Sequence, residues 1–191
     1  MSSVNKKFDT LSLVLCALFA ALTTIGAYMK IPIPYVPITL QLTFTTLAGL
    51  LLGPYKGAIS VGVYVIAGLI GIPVFTKGGG IGYVFEPTFG FIIGFVLGAF
   101  VAGLIVGNKR VVSYKRYLLA SFGSVAACYF CGTVYFYLIM NIYLKKNMGL
   151  WPILLSCVIL VIPGDILLSF LASWVAKVLR THVLVPSRIK K

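Results

Sequence analysis

The chain has 191 residues, 60% hydrophobic and 10% charged, with 16 lysines and arginines against three acids for a net charge of +13. A soluble domain carries about 25% charged residues, so a water-facing globule and a disordered chain are both excluded. The 20 glycines and 9 prolines follow no short period, which excludes collagen-like sequence. An integral membrane protein of a single domain, residues 1–191, remains.

Six apolar runs are long enough, or nearly so, to cross a bilayer. They cover about residues 11–29, 37–53, 57–73, 87–107, 117–143 and 150–179. The pattern predicts an all-α bundle of six transmembrane helices. The first run is too long for a cleavable signal peptide, and other spans follow it. Ala17 and Ala21 lie four apart on it, with Ala20 beside them. This spacing allows close approach of a second helix, either from this chain or from a partner.

The first connection, Lys30-Ile-Pro-Ile-Pro-Tyr-Val-Pro37, is predicted to be stiff and extended. Gln41 then enters the second run as a buried amide that needs partners. Gly53-Pro-Tyr-Lys56 is a tight turn that makes a hairpin of the second and third runs.

The next connection, 74–86, reads Val-Phe-Thr-Lys-Gly-Gly-Gly-Ile-Gly-Tyr-Val-Phe-Glu. Its glycines permit turns closed to other residues, and Phe75, Tyr83 and Phe85 can wall a pocket. It is either a cap over an outward pocket or a plain connector. Glu86 sits just ahead of the fourth run, where a helix N-terminus favours a carboxylate. Gly90, Gly94 and Gly98 then leave one face of that run nearly bare backbone.

Cys128 and Cys131 have the spacing of a redox or zinc pair, but their flanks are apolar and no second pair accompanies them. They are expected to be small packing residues, with no disulfide and no metal site. Asp9 reads as a helix-start residue at the membrane edge. Asp165 is unlike the other acids. It follows Pro163-Gly164 inside the sixth apolar run, where a carboxylate costs several kcal/mol unless it faces a partner in the bundle interior. A ligand or ion site is the favoured reading, and a structural hydrogen-bond knot the alternative.

With both ends placed inside, Lys6, Lys7, Lys56, Lys109, Arg110, Lys115, Arg116, Lys177, Arg180, Arg188, Lys190 and Lys191 are cytoplasmic. Only Lys30, Lys77, Lys145 and Lys146 face outward. This asymmetry sets the orientation and explains the positive charge without nucleic acid. His182 is the only histidine, no carboxylates pair, and no Walker A motif occurs. No catalytic residue or cofactor is expected.

The stretches Val36-Pro-Ile-Thr-Leu-Gln41, Leu47-Ala-Gly-Leu-Leu-Leu-Gly-Pro54 and Gly68-Leu-Ile-Gly-Ile-Pro-Val-Phe75 resemble the BioY family, as do Pro87-Thr-Phe-Gly-Phe-Ile-Ile-Gly-Phe95 and Pro163-Gly-Asp165. The resemblance spans nearly the whole chain. BioY proteins are the biotin-specific S components of energy-coupling factor (ECF) transporters. The resemblance implies an S-component-like bundle in the bacterial cytoplasmic membrane, with both termini cytoplasmic and an outward biotin pocket. It implies as partners a transmembrane coupling subunit, met through Ala17 and Ala21, and two ABC-type ATPases.

Biotin itself is then the transported ligand. Its ureido N–H groups suit Asp165, and its carbonyl suits Thr88 or the backbone around Gly79. Phe75, Tyr83 and Phe91 are expected to flank the ring and tail, with Gln41 nearby and Lys77 or the start of the fourth helix meeting the ligand carboxylate. Two positions depart from the family. Many members read Gly-Pro-Thr-Gly-Gly-Tyr where this chain has Glu86-Pro-Thr-Phe-Gly-Phe91, and many carry Lys where it has Leu168. Ser169, Tyr137, a ligand N–H or a proton are the candidate partners for Asp165. Capture of a biotin precursor or another small vitamin is the neighbouring alternative. A small membrane-embedded lipid enzyme is the alternative from another class.

Overall fold

The computed structural model describes residues 9–32, 36–107 and 112–180. Lys6, Lys7, Pro34, Tyr35, Lys109, Arg110, His182, Arg188, Lys190 and Lys191 lie outside them. Helix α1 (Thr10–Tyr28) is capped by Asp9, whose carboxylate accepts from the Ser12 amide at 3.1 Å. Hydrogen bonds from the Ser12 hydroxyl and amide hold the Asp9 carboxyl below its usual pKa. Lys56 approaches the same carboxylate at 3.8 Å and donates to the Ser12 hydroxyl, tying α1 to α3 (Pro54–Leu69).

Between α1 and α2 (Gln41–Leu52), Lys30–Ile31 (β1) pairs antiparallel with Ile38–Thr39 (β2). The apolar run predicted from residue 37 therefore becomes helical only at Gln41. Pro32 and Pro37 lack a backbone donor and favour extended neighbours, which suits strand ends and disfavours helix. Twelve residues make α2 only about 18 Å long, short of the roughly 30 Å hydrocarbon core. It is nonetheless the hub of the bundle, touching α1, α3, α4 (Phe89–Val106), α5 (Tyr114–Leu138) and α7 (Ile162–Leu179).

The most extensive helix pairing is α4 with α5. A Cβ on Gly94 would lie 2.8 Å from the Cys128 carbonyl oxygen, and one on Gly90 would lie 2.2 Å from the Tyr135 Cβ. Only glycine lets these backbones come so close. The α5 helix runs on through a π-helical turn, Ile139–Tyr143.

The run predicted over 150–179 is interrupted. A short α6 (Leu150–Leu154) passes into a π-helical turn, Leu155–Ile159, before α7 begins at Ile162. Pro163 is the reason: inside a helix it would remove a hydrogen bond and clash, whereas in a first turn its missing donor is not needed. Among the described residues, four helical stretches are long and apolar enough to cross a membrane: Thr10–Tyr28, Phe89–Val106, Tyr114–Tyr143 and Leu150–Leu179.

Candidate functional site

The break before α7 places Asp165 in that helix's first turn, facing inward and 4% exposed. A helix N-terminus favours negative charge there. The Tyr129 hydroxyl of α5 donates to Asp165 Oδ2 at 2.6 Å. Among the described residues it is the side chain that donates to this carboxylate. Ser169 donates instead to the Asp165 backbone carbonyl, and Tyr137 is exposed, so neither expected partner serves the acid. Tyr129 lies beside the Cys128-x-x-Cys131 pair and had no signal of its own in the sequence. All four cysteines are free.

Asp165 and Tyr129 lie in the wall of a cavity between the helices. Gln41, Tyr83, Thr88 and Phe91 join them, as the sequence suggested. Thr39, Thr76, Ile92, Phe95, Cys128 and Val161 also line it, and the sequence did not mark them. Gln41 donates through Nε2 to the Tyr64 hydroxyl and accepts from Thr39 Oγ1 at 3.3 Å, so its amide is held rigidly in the wall. The Thr88 hydroxyl is buried and has no hydrogen-bond partner. Such a group costs about 1–3 kcal/mol unless something else satisfies it.

Three expected site residues, Phe75, Gly79 and Lys77, are not among the residues that line the cavity. Phe75 is fully buried, with its ring over Gly68 and packed edge-on to Tyr64 at 5.4 Å and tilted against Tyr83 at 4.6 Å. It supports Tyr83 because the bare Gly68 backbone leaves a seat for its ring. Gly79 is needed for close approach: a Cβ there would lie 2.3 Å from the Ile72 carbonyl oxygen. Lys77 is half-exposed and pairs with Glu86 at 2.8 Å. A cation with an anion within reach takes that partner.

The connection over the cavity is a folded cap rather than a plain connector. Phe75 and Gly78 exchange backbone hydrogen bonds, Gly80 donates to the Gly68 carbonyl at 2.7 Å, and Ile81–Phe85 forms a 3₁₀ turn. Gly78 and Gly80 have φ of 116° and 108°, open only to glycine at low cost. Side chains clasp the cap to the bundle: Tyr28 to the Pro73 carbonyl, Lys30 Nζ to the Thr76 carbonyl at 2.7 Å, and Tyr135 to the Val84 carbonyl. Thr76 Oγ1 and the Tyr83 hydroxyl lie 3.0 Å apart across it.

A different face stands out on α1. Ala17 and Ala21 are exposed, while Cys16, Ala20 and Thr23 turn into the bundle. The helix's small-residue stripe is thus not consumed by packing among the described residues.

A helical bundle with a mostly apolar cavity, one buried acid and a folded cap is that of a multi-pass membrane protein with a candidate small-molecule site. Comparison with known proteins makes this particular. Residues 2–184 match the family model described as the BioY family, and the chain belongs to that family. A probable biotin transporter BioY of Lysinibacillus sphaericus is 46% identical over 142 residues, covering 74% of this chain and 72% of that one. The biotin transporter BioY of Rhodobacter capsulatus is 36% identical over 179 residues, covering 90% and 94%. The crystal structure of the S-component for biotin from an ECF-type ABC transporter superposes with a TM-score of 0.76 and 27% identity, covering 95% of this chain and 96% of that chain.

Proposed function

We propose that this chain is the biotin-binding S component of an ECF-type transporter, capturing biotin for uptake across the cytoplasmic membrane rather than transforming it. The observation that carries this reading is the Asp165–Tyr129 pair at the wall of the cavity, with Thr88, whose hydroxyl is unsatisfied, in the same wall. Biotin's ureido ring offers two N–H donors and one carbonyl. Asp165 accepts from an N–H in a charge-assisted bond, and Thr88 donates to the carbonyl. Phe91, Phe95, Ile92 and Tyr83 enclose the sulfur ring and the tail. Lys30, bonded to the carbonyl of wall residue Thr76, replaces Lys77 as the cation for the ligand carboxylate.

In this reading the chain crosses the membrane six times, with both termini cytoplasmic and the capped cavity facing outward. The short α2 completes its crossing together with the β1–β2 segment. A transmembrane coupling subunit docks on the exposed Ala17 and Ala21 face, and two ABC-type ATPases supply the energy. The family relationship and the membrane-protein character support these assignments. Calorimetric titration of the purified protein, stripped of carried-over ligand, tests the central claim. Nanomolar binding of biotin at about one per chain is expected. No heat at micromolar biotin from folded protein overturns it.

A further inference from the structure

A second, smaller cavity also borders Asp165. Leu42 and Asp165 border both cavities, and Thr43, Thr46, Leu168, Ser169 and Ala172 complete the second. Asp165 thus borders both the larger cavity and a small chamber between α2 and α7.

The chamber's hydrogen-bond ledger does not close within the protein. Thr46 Oγ1 is paired with Ser124 Oγ at 2.9 Å, and Ser169 Oγ donates to the Asp165 carbonyl at 2.6 Å. The Thr43 hydroxyl is buried with no partner at all. Asp165 receives a single side-chain donor among the described residues, from Tyr129, although an ionised carboxylate has about four acceptor sites. Leu168 contributes only an aliphatic wall. A buried donor and an under-satisfied acceptor therefore border the same chamber, which has room for a water and not for an organic ligand.

We propose that this chamber is a one-water site, and that Thr43 is a positioning residue that acts on Asp165 through the bound water. The water accepts from the Thr43 hydroxyl. It donates one hydrogen to the Asp165 carboxylate and the other to the free lone pairs of Ser169 Oγ. Three polar partners are typical for a buried water. The carboxylate is then braced by Tyr129 and by the water, and presents its remaining lone pairs to the ligand. The consequence for binding rests on the reading of Asp165 as the ligand's acid; the water site itself does not.

Infrared difference spectroscopy on the full-length, ligand-free protein in nanodiscs tests the water directly. The Asp165 carboxyl band is identified by its loss in Asp165→Asn. Thr43→Val, which keeps the shape and removes the hydroxyl, is expected to shift that band, while Thr43→Ser restores its wild-type position. In a parallel biotin titration, Thr43→Val is expected to weaken binding about 3- to 10-fold and Thr43→Ser to stay within about twofold. Should Thr43→Val not fold, Ser169→Ala removes another of the water's partners and is expected to move the band likewise. An unmoved band in these variants overturns the proposal, as does a Thr43→Ser variant that behaves like Thr43→Val, because packing and not the hydroxyl would then be responsible. If wild-type protein binds no biotin, the functional reading falls while the infrared result still decides the water.

Discussion

Helices α1 and α4 carry the same sequence signature, small residues four apart, and the fold uses it in opposite ways. On α4, Gly90, Gly94 and Gly98 are buried against α5, with no room for a Cβ. On α1, Ala17 and Ala21 face outward while the opposite side of the helix packs on α2 and α3. A bare stripe states that a backbone can come close. It does not state whose. In lipid, where apolar side chains gain little by leaving the hydrocarbon, close packing is what holds helices together. A stripe left uncovered on α1 is therefore a surface still able to gain from a partner.

The contrast is open to breaking by mutation. The largest effect is expected for Gly94→Leu, which forces a side chain into the Cys128 backbone. Overpacking of this kind should cost about 3 kcal/mol or more and abolish the monodisperse folded peak in size-exclusion chromatography. The same enlargement on α1, Ala17→Leu or Ala21→Leu, should leave folding and biotin titration unchanged but abolish co-purification with the coupling subunit and biotin uptake by cells. Uptake at wild-type rates in both variants would remove α1 from the docking face.

Asp165→Asn should give the reciprocal result. Biotin affinity is expected to fall at least tenfold, about 1.4 kcal/mol, with coupling-subunit association retained. An unchanged titration would take Asp165 out of the site. The smallest effect is expected for Lys77→Met. Its ion pair with Glu86 is half-exposed, and such pairs contribute about 0.2–1 kcal/mol, so affinity should stay within about twofold. A tenfold loss would return Lys77 to the ligand carboxylate and displace Lys30.

Much of the site was legible from rarity. Asp165 stood out because acids are scarce and apolar spans penalise them. Gln41, Thr88, Tyr83 and Phe91 stood out through motif and position. Tyr129 was not legible, because one tyrosine among the chain's 11 has no distinguishing neighbour in sequence. Only the α5–α7 packing brings its hydroxyl to Asp165. Lys77 and Phe75 were misplaced for a related reason. Sequence locates a residue in the cap, whereas the Lys77–Glu86 pair and the seat over Gly68 decide which way each side chain turns.

By itself the sequence determined the membrane class, the helical bundle and the family, because each follows from composition, hydrophobic run length and ordered motifs along the chain. It did not locate the break before α7, because residues 150–179 read as one apolar run although Pro163 marks the place. Tertiary structure alone decided which small-residue face is spent and which remains open. It decided that Tyr129 and not Ser169 or Tyr137 serves Asp165, and that this acid borders both a larger and a smaller cavity. These depend on distances between residues far apart in the chain, which burial and hydrogen-bond satisfaction fix only once the helices have met.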